Sequence, residues 1–484
     1  MELRDIKNIN QRIYELDTEI NRNNKVIFIA SLIMCYKLNK DFQNMSKLTS
    51  LINFNEGHHP IDQIVALAKE EIKEEHLNPK TEKAIFDSLN TITGANTKLD
   101  HNRNELRKFI ENFITSIPLI KPKDLFMETL YMEIDKKAKS NDTGIVLTPI
   151  FAARLMNDLL DLDYKHDVVL DSCCGTGLFS LLAFNKMMED LEADKNNLSS
   201  NEYKKYKARI KDAIVANDID SKMVTLCFAN FLLNDLNPKL IYAESVFDLE
   251  KSSFKLNGET IQTIKAILNP PYEDKYKPIE IIEKNISLVK NNDFISKVVA
   301  ILPPQKFGQK RAEFAKILNS ATLETVVKMQ DDLFKDSGIG QAASIFVFNA
   351  NKYHDKNDLI HYYNFTDTGY VYLKDSGLVD KNHTYEQKKA DLLKRINDKT
   401  PNKKSDFVRT WTNFYEVNKD LEIVTTIDPD KVRTNKEEAD ITLENITIKK
   451  MLEEKEALVN SCNNNFIDED GSFENYIIDI LSED

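Results

Sequence analysis

The sequence predicts an α/β fold in which a mostly parallel sheet, covered by helices on both faces, follows an all-helical region. From residue 144 onward, short runs of β-branched and apolar residues alternate with stretches of helical periodicity, the pattern of successive βαβ units. Over residues 1–140, apolar residues recur at helical spacing and glycine and proline are sparse. These patterns divide the chain into a helical N-terminal domain (1–140), an α/β domain (141–375) and a C-terminal region (376–484).

Four helices are predicted in the N-terminal domain. Charged residues separate the apolar positions in each of them, as expected of helices that bury one face. Pro60, Pro79 and Pro118 stand where one helical segment gives way to the next, and proline commonly breaks a helix. The predicted helices cover residues 6–38, 59–75, 80–89 and 104–117.

Five short apolar segments of the α/β domain are predicted to form parallel strands. Helical stretches between them, such as 178–190 and 222–236, have the length of crossover helices. The highly charged segment 190–211 enlarges the first crossover and is predicted to be a solvated surface insertion. The predicted strands are residues 168–171, 213–217, 240–242, 264–268 and 298–302.

The end of the α/β domain is predicted to be antiparallel. Two further strands, 322–329 and 343–348, are joined by a turn-rich segment that contains Gly338 and Gly340. Because no helix separates them, they are expected to pair antiparallel. The expectation is a seven-stranded sheet that ends in an antiparallel hairpin, with 359–365 as a candidate edge strand.

Composition bounds the setting of the protein. The chain has a net charge of −13 and five cysteines. No cysteine spacing matches a zinc site, so no metal is expected, and the odd count is typical of a reducing cytoplasm. The most apolar run, Val26 to Leu38, is about 13 residues long, whereas a membrane span needs about 20. These features predict a cytoplasmic protein without a membrane segment.

A nucleotide-type ligand site is predicted where the first three strands end. The first strand runs into Asp171 and a turn with Gly175 and Gly177, where small residues let a ligand approach the backbone and a helix N-terminus presents free N–H groups. Such a turn alone also fits a dinucleotide site or an ordinary βα connection. Asp218 ends the second strand, placed to bind both hydroxyls of a ribose, while Asp220 is expected to cap the next helix.

The loop after the third strand is a weaker part of this constellation. Ser245 is polar and could contact the edge of an adenine ring, while Val246 or Phe247 could cover its face. An ordinary connecting loop explains these residues equally well.

The tetrapeptide Asn269-Pro270-Pro271-Tyr272 directly follows the fourth strand. Two consecutive prolines give a rigid turn at the strand end where open α/β sheets bind ligands. The Asn269 side-chain carbonyl and the Pro270 backbone carbonyl can both accept hydrogen bonds from a planar amine such as adenine N6, which aims its lone pair at a sulfonium methyl group. Positioning then supplies much of the rate. Tyr272 can stack on a base that has left the duplex.

On these motifs, the chain resembles the adenine-N6 DNA amino-methyltransferases, and it is most similar to the methyltransferase subunit of type I restriction–modification systems. That family reads Asp-Pro-Ala-Cys-Gly-Thr-Gly-Gly-Phe at the cofactor loop, and this chain departs from it at Ser172, Cys173 and Leu178. Gly144 and Thr148-Pro149 resemble the family's Gly…Thr-Pro element, which borders the methionine end of the cofactor. The matching loop residues are Asp171, Cys174, Gly175, Thr176, Gly177 and Phe179.

The resemblance covers residues 120–375 and implies a Rossmann-like S-adenosylmethionine-dependent methyltransferase core. It implies that S-adenosylmethionine is the cofactor and that the N6 amine of adenine in double-stranded DNA receives the methyl group. The expected catalytic residues are Asn269, Pro270, Pro271 and Tyr272. The expected cofactor-binding residues are Thr148, Pro149, Asp171, Cys174, Gly175, Thr176, Gly177, Asp218, Ser245 and Asn269.

The acidic C-terminal region bears on the partners. A protein that holds DNA alone usually presents a basic surface, but this chain has no Lys or Arg after Lys455 and no recognisable DNA-reading module. We therefore expect a specificity subunit to read the sequence, with the C-terminal helices available for docking; the sequence leaves a restriction subunit open. The helices predicted in this region are residues 385–397, 436–459 and 473–481.

Two other functions remain compatible with the motifs. An Asn-Pro-Pro-Tyr turn suits any planar amine, so an RNA base or a glutamine amide of a protein is an alternative substrate. A non-catalytic, cofactor-binding assembly subunit is a further alternative, although the intact tetrapeptide argues against it.

Overall fold

The fold is described from a computed structural model. Gly144, Gly338 and Gly340 lie outside the described residues, as do the predicted helices 436–459 and 473–481. The described residues are 11–12, 20, 24–55, 57–94, 103–138, 147–256, 259–260, 264–291, 295–304, 306, 311–335, 342–355, 357–373, 377–400 and 406–410.

The chain forms two compact units, one made of residues 1–157 and 161–269 and the other of residues 158–160 and 270–484. The first unit opens with helices, and the segments predicted at 59–75, 80–89 and 104–117 are confirmed to within two residues at either end. Proline occupies the first turn of two of them, where its missing N–H costs no helical hydrogen bond. These helices are α1 (Lys25–Leu38), α2 (Met45–Leu51), α3 (Pro60–Glu74), α4 (Pro79–Asn90), α5 (Arg103–Ser116) and α6 (Phe126–Ala138), followed by α7 (Ile150–Leu160).

Helix α1 is the centre of this helical part. It is apolar on every side rather than on one stripe, and residues 25–35 are all buried. The reason is that α3 packs on one side and a helix of the α/β part, α10 (Ser221–Leu233), packs on another. Helix α4 is tied directly to the sheet, where the Thr81 hydroxyl donates to the carbonyl oxygen of Ile241 over 2.8 Å. The helical region is therefore part of the same compact unit as the parallel strands at residues 168–171, 214–217, 241–242 and 264–268.

The parallel sheet of the first unit has the strand order β3-β2-β1-β6. In register, Asp171 stands beside Ala216 on one neighbouring strand and Ile267 on the other. The carboxyl ends of these strands therefore lie at one edge, where the predicted ligand residues follow. The remaining elements of this unit are β1 (Val168–Asp171), α8 (Leu178–Ala193), α9 (Ser200–Lys211), β2 (Ile214–Asn217), β3 (Ile241–Tyr242), β4 (Lys255–Leu256), β5 (Glu259–Thr260) and β6 (Ile264–Leu268).

The charged insertion 190–211 contains its own helix, α9. Ser199 and Glu202 form a capping box at its start, which satisfies free N–H groups at both residues. Most side chains of α9 are at least partly exposed, so the segment is the predicted surface insertion.

The second unit contains a sheet of mixed direction with the order β13-β10-β8-β9-β7. Strand β9 is antiparallel to both β7 and β8, so the predicted hairpin is confirmed. Strand β10 runs parallel to β8. The elements are α11 (Pro278–Val289), β7 (Lys297–Leu302), α12 (Arg311–Leu318), β8 (Thr322–Met329), β9 (Ser344–Asn349), β10 (Leu359–Phe365), β11 (Tyr370–Leu373), β12 (Gly377–Asp380), α13 (Tyr385–Asn397) and β13 (Phe407–Thr410).

The α/β fold class is confirmed, but the expected seven strands are two too few. The parallel sheet of the first unit has four strands and the mixed sheet of the second has five. The additions are β10, which was a candidate edge strand, and β13, which was not predicted. Strand β13 is four residues long and pairs antiparallel with β10, Phe407 beside Tyr362. So short a strand depends on its partner rather than on a pattern of its own.

Among the described residues, no helix combines the length and the apolar character needed to cross a membrane.

Candidate functional site

The turn after β1 adopts the backbone conformation that its glycines permit. Gly175 has φ +53° and Gly177 has φ +91°, values that other residues rarely adopt. A Cβ on Gly177 would lie 3.2 Å from the Cys227 sulfur, whereas a Cβ on Gly175 would meet nothing within 4 Å. Gly177 is therefore required for packing against α10. Gly175 leaves open space above the backbone.

The carboxylate of Asp171 lies beneath this turn and is fully buried. Its Oδ2 accepts hydrogen bonds from the backbone N–H of Ser180 (3.1 Å) and from the Ser180 hydroxyl (2.8 Å). Its Oδ1 has no hydrogen-bond partner among the described residues. Burial raises the pKa of Asp171 to about 7, and the charge of Asp218 adds to this shift. Asp171 thus anchors the first turn of α8 and keeps one oxygen available.

The two carboxylates after β2 have separate roles. Asp220 caps α10, accepting from the backbone N–H of Met223 over 2.9 Å, so the predicted cap is confirmed. Asp218 accepts from the N–H of Gly175 through Oδ2 and from the N–H of Asp220 through Oδ1, both over 2.9 Å. Burial raises the pKa of Asp218 to about 6. Because each carboxylate oxygen can accept more than one hydrogen bond, these contacts leave Asp218 able to bind ribose hydroxyls. That role stays a prediction.

Asn217, which connects the loops after β1 and β3, was not predicted from the sequence to have a role in the site. Its Nδ2 donates to the carbonyl oxygen of Ser172 (3.1 Å), and its Oδ1 accepts from the N–H of Glu244 (3.3 Å). Its backbone carbonyl accepts from the N–H of Cys174 over 2.9 Å. A single buried side chain at the end of β2 thereby holds the loops after β1 and β3 together. The available signal was an amide residue at the end of an otherwise apolar strand.

The Cys174 side chain lies in the core. Its thiol is buried, and a hydrogen bond with Cys227 is the largest cause raising its pKa well above the usual range, with burial next. A role for Cys174 in cofactor binding stays a prediction, and the burial of its thiol does not support that role.

After β3, the Ser245 hydroxyl serves its own loop. It accepts from the N–H of Phe247 over 3.3 Å and caps a short 3₁₀ turn. Val246 is buried, but Phe247 is 42% exposed, as is Ile219 after β2 at 74%. Two large apolar side chains therefore remain exposed in the loops that follow β2 and β3. Of the two candidates for covering a ring, Phe247 has the free surface.

The structure brings together Thr148 and Asn269, residues 121 positions apart in the sequence. The Asn269 Nδ2 donates to the hydroxyl of Thr148 over 2.9 Å. Thr148 is buried, and the following Pro149 accepts from the N–H of Ala153 over 3.0 Å at the start of α7. In this orientation the Asn269 amide uses Nδ2 as a donor to Thr148, and its oxygen is the end that can accept a hydrogen bond from a ligand.

The rest of the tetrapeptide belongs to the second unit. Tyr272 is 7% exposed, and its ring makes an edge-to-face contact with Phe334, with the ring centroids 5.7 Å apart. Its hydroxyl has no hydrogen-bond partner among the described residues, and burial raises its pKa well above the usual range. Two residues on, Asp274 pairs with Lys306 over 2.8 Å. Stacking of Tyr272 on a base stays a prediction.

Glu128, on α6, is a second residue that the sequence analysis missed. It is 2% exposed, and its Oε2 accepts a hydrogen bond from the Thr176 hydroxyl in the glycine turn. The carbonyl oxygen of Thr176 in turn accepts from the Asn230 side chain over 2.6 Å. The contact joins residues 48 positions apart, and an acidic residue in a helical pattern ordinarily indicates an exposed face. No local signal distinguished it.

Among the described residues, no group of His, Cys, Asp and Glu is arranged to hold a metal ion.

Comparison with known proteins confirms the resemblance drawn from the motifs. Residues 124–314 match the family model described as N-6 DNA Methylase, a segment that contains both the glycine turn and the tetrapeptide. A type II restriction enzyme and methyltransferase, RM.BcgI of Heyndrickxia coagulans, is 29% identical over 250 residues. That similarity covers 49% of this chain and 36% of the relative, so the chain spans about a third of the relative's length.

Two solved structures share the fold. The methyltransferase subunit of a type I restriction–modification system from Streptococcus thermophilus superposes with a TM-score of 0.53 at 10% identity, covering 88% of this chain and 98% of that one. A chain from a structure of complex assembly and conformational transition in a type I R-M system gives a TM-score of 0.58 at 14% identity, covering 95% and 96%. At these identities, the likeness concerns the fold.

Proposed function

We propose that this protein transfers a methyl group from S-adenosylmethionine to the N6 amine of adenine in DNA, as the modification subunit of a restriction–modification complex. The observation that carries the proposal is the Asn269 amide, oriented by Thr148 over 2.9 Å at the carboxyl end of β6. It is followed by two prolines and Tyr272. The match of residues 124–314 to the N-6 DNA Methylase family supports the same reaction.

The residues around the glycine turn fit S-adenosylmethionine. Open space above Gly175 admits a ligand to the backbone, and Asp171 keeps a buried carboxylate oxygen without a partner among the described residues. Asp218 would hold the ribose hydroxyls and the exposed Phe247 would cover the adenine ring. When bound, the cofactor supplies a methyl group on a positively charged sulfur.

The chain's own contribution to methyl transfer is the positioning of an amine. The Asn269 side-chain oxygen and the Pro270 carbonyl oxygen would each accept a hydrogen bond from one N–H group of the target amine. These two hydrogen bonds would turn the lone pair of the nitrogen toward the methyl group. With Nδ2 of Asn269 bound to the Thr148 hydroxyl, the amide oxygen is the end directed to this task. Since positioning is the main demand of an in-line transfer, this arrangement requires no charged general base.

The target adenine must leave the duplex to reach this tetrapeptide, since its amine is otherwise held in the base pair. The ring of Tyr272, which packs against Phe334, would be the stacking partner of the unstacked base. With a net charge of −13, the chain is poorly suited to attract phosphates by itself. We therefore propose that a specificity subunit supplies sequence recognition and much of the DNA affinity.

Methyl transfer from labelled cofactor tests the proposal. The protein is incubated with unmodified DNA, RNA or an unmodified protein extract, each with and without the products of the neighbouring genes. We expect label in DNA, with a marked increase when a specificity subunit is present. Label in RNA or protein, with none in DNA under either condition, would show that the proposed substrate is wrong.

A further inference from the structure

Glu128 is a buried carboxylate that the proposed reaction does not yet use. It lies on α6, before the segment that carries the sequence motifs, and it is 2% exposed. The Thr176 hydroxyl donates to Oε2, while Oε1 has no hydrogen-bond partner among the described residues. The free energy cost of burying a carboxylate with one oxygen unsatisfied is substantial. Such a group in a ligand-binding region calls for an explanation.

The chemistry of this carboxylate suits a positively charged ligand. Burial raises the pKa of Glu128 to about 7, and the hydrogen bond from Thr176 opposes that shift. Asp171, below the same turn, also has a pKa of about 7 and an unpartnered oxygen. A cation bound to Glu128 Oε1 would stabilise the ionised form of this carboxylate, whereas an anion would be repelled.

The strand order indicates which part of the cofactor lies near Glu128. Asp218, the proposed ribose ligand, follows β2, and Asn269, where the methyl group must arrive, follows β6. Strand β1 lies between these two strands, and neighbouring strands are about 4.8 Å apart. The cofactor must therefore cross the turn after β1, which contains Thr176. The group attached to sulfur on the side away from the ribose is the methionine chain, with its α-ammonium group.

Building on the proposed function, we infer that Glu128 binds the α-ammonium group of the methionine moiety of S-adenosylmethionine through its Oε1, while Thr176 holds the carboxylate in place through Oε2. The site thus includes a residue from the helix that precedes the Thr148-Pro149 element. Through Glu128, the helical region would contribute directly to the cofactor site.

The test compares three ligands on the wild-type protein and the Glu128→Gln variant by titration calorimetry. S-adenosylmethionine and S-adenosylhomocysteine both carry the ammonium group, whereas 5′-methylthioadenosine lacks the amino-acid part. We expect the substitution to weaken the first two by about 10- to 100-fold, the range for a hydrogen bond between charged groups. Binding of 5′-methylthioadenosine should change by less than about twofold.

A purely structural role for Glu128 gives a different result. If the carboxylate only orders the turn, all three ligands lose affinity together, and the inference is overturned; unchanged affinity for all three also overturns it. Glu105→Gln, an exposed carboxylate on α5, is the charge-matched control and should leave all three affinities unchanged. Should Glu128→Gln not fold, Glu128→Asp retains the charge one methylene short and should show the same ligand-specific loss.

Failure of this inference can be distinguished from failure of the proposed function. A wild-type protein that binds neither S-adenosylmethionine nor S-adenosylhomocysteine contradicts both. A wild-type protein that binds both ligands and methylates DNA, with no ligand-specific loss in the Glu128 variants, contradicts the role of Glu128 alone.

Discussion

The two units hold their candidate ligand residues by different forces. In the first unit, the residues are fixed by hydrogen bonds: Asn217 and Asp218 accept backbone N–H groups from the surrounding loops, and Thr148 orients Asn269. In the second unit, Tyr272 is held by ring packing against Phe334, and its hydroxyl has no partner among the described residues. Directional bonds set an acceptor geometry before a ligand arrives, whereas ring contacts set a shape. Substitutions should therefore act differently in the two units.

The largest effect is expected at Asn269, because this residue must present a hydrogen-bond acceptor to the target amine. Asn269→Ala removes the acceptor that aligns the amine, and we expect methyl transfer to fall by about 1000-fold or more, at the upper end of the loss seen when an aligned transition-state hydrogen bond is removed. Calorimetry should show a far smaller loss of cofactor affinity, within about tenfold of wild type, because the glycine turn and Asp218 are untouched. Retained transfer activity would overturn the assignment of Asn269.

The pH dependence of stability tests the burial of Glu128. Its pKa is raised on folding from 4.5 to about 7, so the folded state favours the protonated form. The contribution of the protonated Glu128 to the free energy of unfolding is fully present below pH 4.5 and is lost as the pH rises through 7. Relative to Glu128→Gln, which cannot ionise, wild-type protein without cofactor should lose up to about 3 kcal/mol between these limits.

Urea unfolding at several pH values measures this difference. Asp171 ionises over the same range in both proteins, so its contribution cancels in the comparison. A difference between wild type and variant that does not change with pH would contradict the buried, uncompensated state of Glu128.

Asp218 and Asp220 form a matched pair within the first unit. Asp218→Ala removes both the proposed ribose ligand and the anchor of Gly175, so we expect cofactor affinity to fall by about 10- to 100-fold. Asp220→Ala removes a helix cap, which should lower the free energy of unfolding by about 1 kcal/mol and leave cofactor affinity unchanged. Calorimetry and urea unfolding of both variants separate the two roles; equal effects on binding would contradict the division.

The smallest effect is expected at the Tyr272 hydroxyl. Because it makes no hydrogen bond to the described residues, Tyr272→Phe should change kcat/KM by less than about threefold. Tyr272→Ala removes the ring and should lower kcat/KM for DNA by about tenfold or more, the usual contribution of base stacking. If Tyr272→Phe were as impaired as Tyr272→Ala, the hydroxyl rather than the ring would be the functional part.

Local signals explain what the sequence predicted well. The bounds predicted for β1 and β6 coincide with those of the structure, Val168–Asp171 and Ile264–Leu268, because each is a short, mostly apolar segment that runs directly into a recognisable turn motif. The cap at Asp220 was predictable from its place just before a helix. Thr148 and Asn269 were each recognised from a separate motif, but the hydrogen bond between them was not predicted.

The unpredicted features depend on partners far away in the sequence. Strand β13 forms only by pairing with β10, and Asn217 gains its role from loops after other strands. Glu128 contacts a residue 48 positions away, and its acidic side chain resembles those of exposed helix faces. A buried polar residue is recognised by its hydrogen-bond partners, and a single sequence does not reveal which residues these are.

The chemical identity of the methylated product tests the proposed reaction most sharply. DNA treated with the protein, its specificity subunit and S-adenosylmethionine is digested to nucleosides and analysed by mass spectrometry, with Asn269→Ala as the control. We expect N6-methyladenine with wild-type protein and none above background with the variant. Methylation at another nucleoside, or N6-methyladenine formed equally by the variant, would show that the proposed reaction or the role of Asn269 is wrong.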